Sequence, residues 1–330
     1  MLRAPSFEWI IEAAGIIGAD VRDTPVVGHR RLDEAVGARV FVKDETGGPI
    51  GCFKARGTDM LVARGVTAGA ELVCASAGNF GQGLARSGSA HGHKVTVFAA
   101  TSANPLKIAR MRALGAEVIL DGTDVDAANA VAKVYAASKP GARYVEDSNL
   151  PEVAEGAGTI ARELTEAGLA FDAMFVPVGG GALPNGVGTW LRHARPGCKV
   201  IGVGAAGAAA YHNAWHTGQM IATAKVDTIA DGIAIRVPMA YALENLARTL
   251  DEFVLVSDAE MLAAMRLIHA TLGLVVEPCA ASVVAAILQR KGKLPGAVAT
   301  VLSGGNITAE QKRDWLGAAA KGSDPFGKGV

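Results

Sequence analysis

From residue 39 onward the chain alternates short apolar runs with segments of helical periodicity, and this alternation constrains its fold more than any single motif. RVFVKDE, ELVCAS, KVTVFA, AEVIL, ARYVED, AMFVPV, CKVIGV, EFVLVS and AVATVLS have the length and apolar content of buried strands. Between them, NPLKIARMRALG, TDVDAANAVAKVYAASK, EVAEGAGTIARELTEAG and DAEMLAAMRLIHATLG carry apolar residues at helical spacing. Parallel strands need a crossover and a helix provides one, so the pattern predicts an α/β protein with mostly parallel sheets flanked by helices. The 330 residues suffice for one large domain or two closely packed ones. The N-terminal stretch around FEWIIEAAGII reads as an amphipathic helix interrupted by Glu8 and Glu12, and the small, polar tail AAAKGSDPFGKGV is expected to be loosely held.

Acids and bases balance at 32 each, so the chain lacks the basic field that nucleic acid or an acidic membrane would attract. No segment approaches transmembrane length, and a small molecule is the expected partner. Cys52, Cys74, Cys198 and Cys279 lie far apart, without zinc or disulfide spacing, which suits reduced thiols and a cytoplasmic location. Among the histidines only His212 and His216 have ligand-like spacing, and without a third ligand no metal site is expected.

Four loops carry the chemistry. GCFKARGTD, residues 51–59, places Lys54 in the first turn of a helix running from Phe53 to Arg64, with Phe53, Gly57, Met60 and Leu61 on one buried face. Burial and the positive end of the helix dipole both disfavour an ammonium ion there, and a free amine is what Schiff-base chemistry requires. An ordinary solvated lysine is the alternative for this stretch alone. ASAGNFGQGLA, residues 75–85, follows a strand and offers backbone N–H groups with Ser76, Asn79 and Gln82 to a carboxylate or phosphate. It departs from the dinucleotide fingerprint G-x-G-x-x-G, which counts against a nicotinamide-dependent oxidoreductase. VPVGGGALPNG, residues 176–186, forms a backbone nest suited to one phosphate and lacks the Lys-Ser/Thr of a triphosphate loop. LSGGN, residues 302–306, ends the last strand, so Ser303 and Asn306 are expected at the same crevice.

In this order the four loops resemble the fold-type II pyridoxal-phosphate enzymes, specifically the serine/threonine dehydratase (ammonia-lyase) and serine racemase group. TPVV, VFVKDE, TIADGIAIR and LVVEPCAAS extend the resemblance over nearly the whole chain. It implies a tryptophan-synthase-β-like fold with a large domain, residues 1–70 and 148–330, and a small mobile domain, residues 71–147, inserted into it, in a homodimer. It implies that Lys54 carries pyridoxal 5'-phosphate as a Schiff base and serves as the catalytic base, with Phe53 beside the ring. Gly179, Gly180, Gly181, Ala182 and Leu183 would hold the phosphate, Ser303 would meet the pyridine nitrogen, and Asn79 would reach the ring hydroxyl. Ser76, Ala77, Gly78, Asn79 and Phe80 would form the loop against an amino-acid substrate. A neutral serine leaves the ring a weaker electron sink, which favours expulsion of a β-leaving group. The implied reaction is β-elimination on a 3-hydroxy amino acid such as L-threonine or L-serine, giving a 2-oxo acid and ammonia.

The chain departs from the group's pattern at several positions. Phe80 stands where dehydratases usually have histidine, Cys52 where serine is usual, and Ala182 where the fourth glycine falls. Phe80 either shapes the substrate pocket or packs beneath its loop. Ala77 occupies the position of the second base of racemases, and GAAGAAA lacks the acid of their divalent-cation site, although Glu277 and Asp231 remain possible cation ligands. β-replacement, racemisation and dehydration of a bulkier 3-hydroxy amino acid are the alternatives.

Overall fold

The computed structural model describes residues 2–103 and 105–317, so the expectation for the tail AAAKGSDPFGKGV lies outside the described residues. The strands are β1 (Val26–Val27), β2 (Val40–Asp44), β3 (Glu71–Ala75), β4 (Val95–Ala99), β5 (Glu117–Leu120), β6 (Ala142–Tyr144), β7 (Ala173–Pro177), β8 (Lys199–Ala205), β9 (Glu252–Val256) and β10 (Val298–Leu302). One six-stranded sheet has the order β1-β2-β10-β7-β8-β9, and a four-stranded sheet has the order β5-β4-β3-β6. Every pairing is parallel except β1 with β2. The last strand, β10, lies between β2 and β7, so both ends of the chain build the larger sheet.

The helices up to the small sheet's end are α1 (Phe7–Ile16), α2 (Arg30–Val36), α3 (Lys54–Gly65), α4 (Asn79–Ala90), α5 (Pro105–Ala113) and α6 (Val125–Ser138). Those that follow are α7 (Pro151–Glu166), α8 (Ala182–Ala194), α9 (Ala210–Thr217), α10 (Ala240–Thr249), α11 (Asp258–Leu272), α12 (Pro278–Gln289) and α13 (Ala309–Leu316).

Alternation along the strands assigns these helices to faces. On β7, Ala173 and Phe175 enter one core with residues of α2, α11 and α12, whereas Met174 and Val176 enter another with α1, α7 and α8. Phe175 is fully buried, and its truncation to alanine is expected to cost about 3–5 kcal/mol. In the smaller sheet Leu72 and Cys74 of β3 face α3, α4 and α5, while Val73 faces α6. Both sheets are covered on both sides, which is why their strands read as nearly continuous apolar runs. No helix among the described residues is long and apolar enough to cross a membrane.

This arrangement gathers the polar loops at one place. The segments after β2, β7 and β10 leave the carboxyl ends of three adjacent strands, and those after β3 and β6 leave the corresponding ends of the small sheet.

Candidate active site

The GCFKARGTD segment is tied to LSGGN before α3 begins. Gly51 has φ +66°, and a Cβ there would stand 2.6 Å from Asn306 Oδ1. Cys52 forms an antiparallel bridge with Gly304, and Phe53 N donates to the Ser303 carbonyl at 3.0 Å. Lys54 therefore enters the first turn of α3 from a fixed strand-like approach. Phe53 is the N-cap of α3, and its ring centroid lies 5.0 Å from Lys54 Nζ. The Lys54 ammonium forms an ion pair with Asp147 Oδ2.

The expectation of a single buried face on this helix is corrected by its packing. Every residue of α3 from Ala55 to Val62 is buried, because α4 and α7 cover it on different sides. Gly57 makes the α7 contact possible: a Cβ there would lie 2.7 Å from the Val153 carbonyl oxygen. Behind Lys54, the fully buried Arg56 donates to Glu45 at 2.9 and 3.0 Å, to Thr159 at 2.9 Å and to Glu163 at 3.0 Å. The Lys43 ammonium joins the same cluster at 2.6 Å from Glu163. Burial opposes the Arg56 charge, but Glu45 and Glu163 raise its pKa overall.

Asn79 begins α4, with Gly78 as the N-cap. The Ser76 hydroxyl folds back to accept from Gly78 N at 3.2 Å and Gly81 N at 3.1 Å, which closes the turn. Asn79 Nδ2 donates to both oxygens of Glu277, at 3.0 and 3.1 Å, and its Oδ1 accepts from Asn306 Nδ2 at 2.9 Å. Burial pushes the Glu277 carboxyl above its ordinary range, with the Asn79 bond opposing that shift. Ala77 and Gly78 are half-buried on the same turn. Phe80, by contrast, is 6% exposed and packs with Leu84 and Met111 in the core of the small sheet. Of the two readings of this ring, the packing one matches its position.

The glycine turn leaves β7 and starts α8. A Cβ on Gly179 would stand 2.4 Å from the Gly232 carbonyl oxygen, and one on Gly180 would stand 1.8 Å from Ser148 Oγ. Gly181, at φ +94°, is the N-cap of α8, and no side chain caps that end. Ala182 and Leu183 turn into separate cores, at 6% and 3% exposure. Around this turn stand Asp147, Ser148 and the Tyr211 hydroxyl, which lies 3.4 Å from the Gly180 carbonyl. Asp147 Oδ1 is buried with no hydrogen-bond partner. Ser303 is buried near Cys279, whose thiol is pushed well up by burial.

Backbone N–H groups at an uncapped helix start and a turn that accepts no side chain stand near a primary amine, whose Asp147 partner keeps one acceptor oxygen unpaired. This donor set fits a phosphate ester that binds through an aldehyde, the chemistry of pyridoxal phosphate.

Three residues here escaped sequence reasoning. Asp147 and Ser148 lie directly after β6, and a polar EDSN run at the carboxyl end of a parallel strand is the signal that marks them. Tyr211 had no comparable signal. Of the proposed cation ligands, Asp231 pairs with Lys107 at 2.5 Å and Glu277 accepts from Asn79, Asn306 and Cys279. His212 and His216 meet edge to face at 4.4 Å, and no group of three metal-binding side chains occurs among the described residues. Burial pushes the Cys52 thiol up, with Glu277 adding to the effect, so it is a poor thiolate and packs as a small apolar residue.

The sequence model described as "Pyridoxal-phosphate dependent enzyme" matches residues 17–304. The chain is 35% identical over 301 residues to the L-threonine ammonia-lyase of Geobacter sulfurreducens, covering 90% of this chain and 75% of the relative. It is 34% identical to the phenylserine dehydratase of Ralstonia pickettii, covering 88% and 89%. Its fold is similar to that of the processed form of threonine deaminase isoform 2 from Solanum lycopersicum, with a TM-score of 0.87 at 26% identity over 95% of this chain and 89% of that one.

Proposed function

The chain belongs to the pyridoxal-phosphate dependent enzyme family, with the fold-type II architecture, and from that premise we propose that it converts a 3-hydroxy amino acid by β-elimination into a 2-oxo acid and ammonia. L-threonine and L-serine are the simplest candidates, and phenylserine and 3-hydroxyaspartate enter because relatives are named for them. The observation that carries the reading is the convergence of the Lys54 amine, the Asn79 turn and a glycine turn closed to side chains at the carboxyl ends of neighbouring strands.

In this reading the amine of Lys54 would hold the cofactor at rest and, once the substrate amine has taken its place, the freed amine would take the proton from the substrate Cα. When bound, pyridoxal phosphate supplies the electron-withdrawing ring that makes this Cα–H bond acidic. The segment from Gly179 to Leu183 would hold the phosphate, Phe53 would stand beside the ring, and Ser303 would offer the pyridine nitrogen a neutral hydroxyl. The turn from Ser76 to Phe80 orients the substrate carboxylate through its backbone and Asn79. With a proton equivalent to the one taken from Cα, the β-hydroxyl leaves as water, and hydrolysis of the released imine consumes one water and yields a 2-oxo acid and ammonia. Ala77 provides no base on the opposite face, which weighs against racemisation.

Residues 71–147 form, in the same reading, a small mobile domain on a large one made of residues 1–70 and 148–330. The resemblance supports a homodimer in the cytoplasm, and the balanced charge supports an assembly without nucleic acid.

A panel of threonine, serine, phenylserine and 3-hydroxyaspartate, assayed for both products, tests the reaction. Equal release of ammonia and oxo acid is expected from at least one. Formation of D-amino acid, or incorporation of an added thiol without net oxo acid, would replace elimination by racemisation or β-replacement.

A further inference from the structure

Helix α5 belongs to the small sheet, where Ile108 and Met111 enter the core. Lys107 and Arg110 are three residues apart and so share another side of the helix, from which each reaches a different loop of the larger sheet. We propose that Lys107 and Arg110 are positioning residues that clamp the glycine turn and the Asn79 turn, respectively, through two separate relays.

The first relay runs through a single turn of 3-10 helix. Lys107 Nζ pairs with Asp231 Oδ2 at 2.5 Å, and Asp231 opens the turn Asp231–Ile233. Gly232 in that turn lies directly against Gly179, since a Cβ on Gly179 would be 2.4 Å from the Gly232 carbonyl. A Cβ on Gly232 would in turn be 2.8 Å from Cys279 Sγ, so α12 backs the turn and prevents it from retreating. Lys107 therefore holds a backbone segment pressed onto the glycine turn without touching that turn itself.

The second relay is a chain of hydrogen bonds. Arg110 Nη1 donates to Asn306 Oδ1 at 2.8 Å, and Asn306 Nδ2 donates to Asn79 Oδ1 at 2.9 Å and to the Ile50 carbonyl at 2.7 Å. Asn306 N and Asn79 Nδ2 both donate to Glu277. The Arg110 bond selects the amide orientation of Asn306 that presents its N–H groups to Asn79, and Asn79 is thereby fixed with its own Nδ2 toward Glu277. One helix side thus reaches both turns, each through its own relay.

Which ligand each turn receives rests on the function proposed above, whereas the clamp itself does not. Lys107→Met and Arg110→Met in the full chain separate the two. Partly exposed ion pairs and hydrogen bonds of this kind correspond to about three- to fivefold changes in a binding constant. Lys107→Met is expected to raise the dissociation constant for pyridoxal phosphate by that factor and leave the amino-acid KM little changed. Arg110→Met is expected to raise the amino-acid KM and leave cofactor affinity little changed. The exchange pair Lys107→Asp with Asp231→Lys restores cofactor affinity relative to Lys107→Asp alone.

Amide hydrogen exchange on the unliganded chain reads the clamp independently of turnover. Faster exchange confined to residues 179–183 in Lys107→Met, and to residues 76–81 in Arg110→Met, supports it even if the protein binds no pyridoxal phosphate, in which case the functional reading alone fails. Unchanged exchange in both variants, or equal loosening of both turns with a matching loss of thermal stability, overturns the clamp even if the enzyme is active.

Discussion

Substitution of Gly179 by alanine probes the packing of the glycine turn where no side chain can yield. The new Cβ would stand 2.4 Å from the Gly232 carbonyl oxygen, whereas ordinary contact begins near 3.4 Å, so one backbone segment has to move by about 1 Å. Gly232 is backed by Cys279, so the displacement falls mainly on the glycine turn itself. Overpacking of this type costs about 1–3 kcal/mol. If that strain is borne in the bound form, the dissociation constant for pyridoxal phosphate rises by about 5- to 150-fold. The assay is a spectroscopic titration of cofactor into stripped protein, paired with the thermal midpoint of the stripped protein. Gly197→Ala is the control, because a Cβ there meets nothing within 4 Å. Gly180→Ala should be milder, since its closest neighbour is a hydroxyl that can rotate, and Ser148→Ala should relieve it further. Cofactor affinity of Gly179→Ala indistinguishable from that of Gly197→Ala would refute the reasoning.

Three further outcomes follow from the buried groups. Arg56→Met leaves Glu45 in the core without its cation and Glu163 with Lys43 alone, and a loss of about 3–5 kcal/mol in denaturant unfolding is expected; a neutral variant would show that the cluster is not held as described. Phe80→Ala should cost about 3–5 kcal/mol of stability, and Phe80→Leu should leave the ranking of substrates unchanged, because the ring lies in the small-sheet core. Burial works to raise the Glu71 pKa, but bonds from Lys139, Thr96 and Tyr135 hold the carboxyl at about 2, against 4.5 ordinarily. Its stabilising contribution is thus complete above pH 4.5 and is lost as the pH falls toward about 2, so the gap in thermal midpoint between wild type and Glu71→Gln should close over that window.

What was legible in the chain and what was not divides along physical lines. Strands buried on both faces declare themselves as apolar runs, and each of the nine candidates contains a strand. β1 is two residues long and pairs antiparallel at an edge, too short to leave a periodicity. Gly-rich turns at strand ends were legible because few other sequences permit a backbone to pass so close to its neighbours, as Gly179 and Gly180 do. The cluster of Lys43, Glu45, Arg56 and Glu163 was not, since charges that cancel one another in a core look in sequence like surface charges. Tyr211 was missed for a related reason: its place beside Gly180 is set by a tertiary contact from a distant segment. Phe80 illustrates the reverse case, where its place beside Asn79 suggested a pocket but helical geometry turns the ring inward.

The most direct test of the central claim is borohydride reduction of the protein loaded with pyridoxal phosphate, followed by mass mapping of its peptides. The account predicts one stable phosphopyridoxyl group, on Lys54, and loss of both labelling and ammonia release in Lys54→Ala. A label on another lysine, or turnover that survives Lys54→Ala, would contradict it.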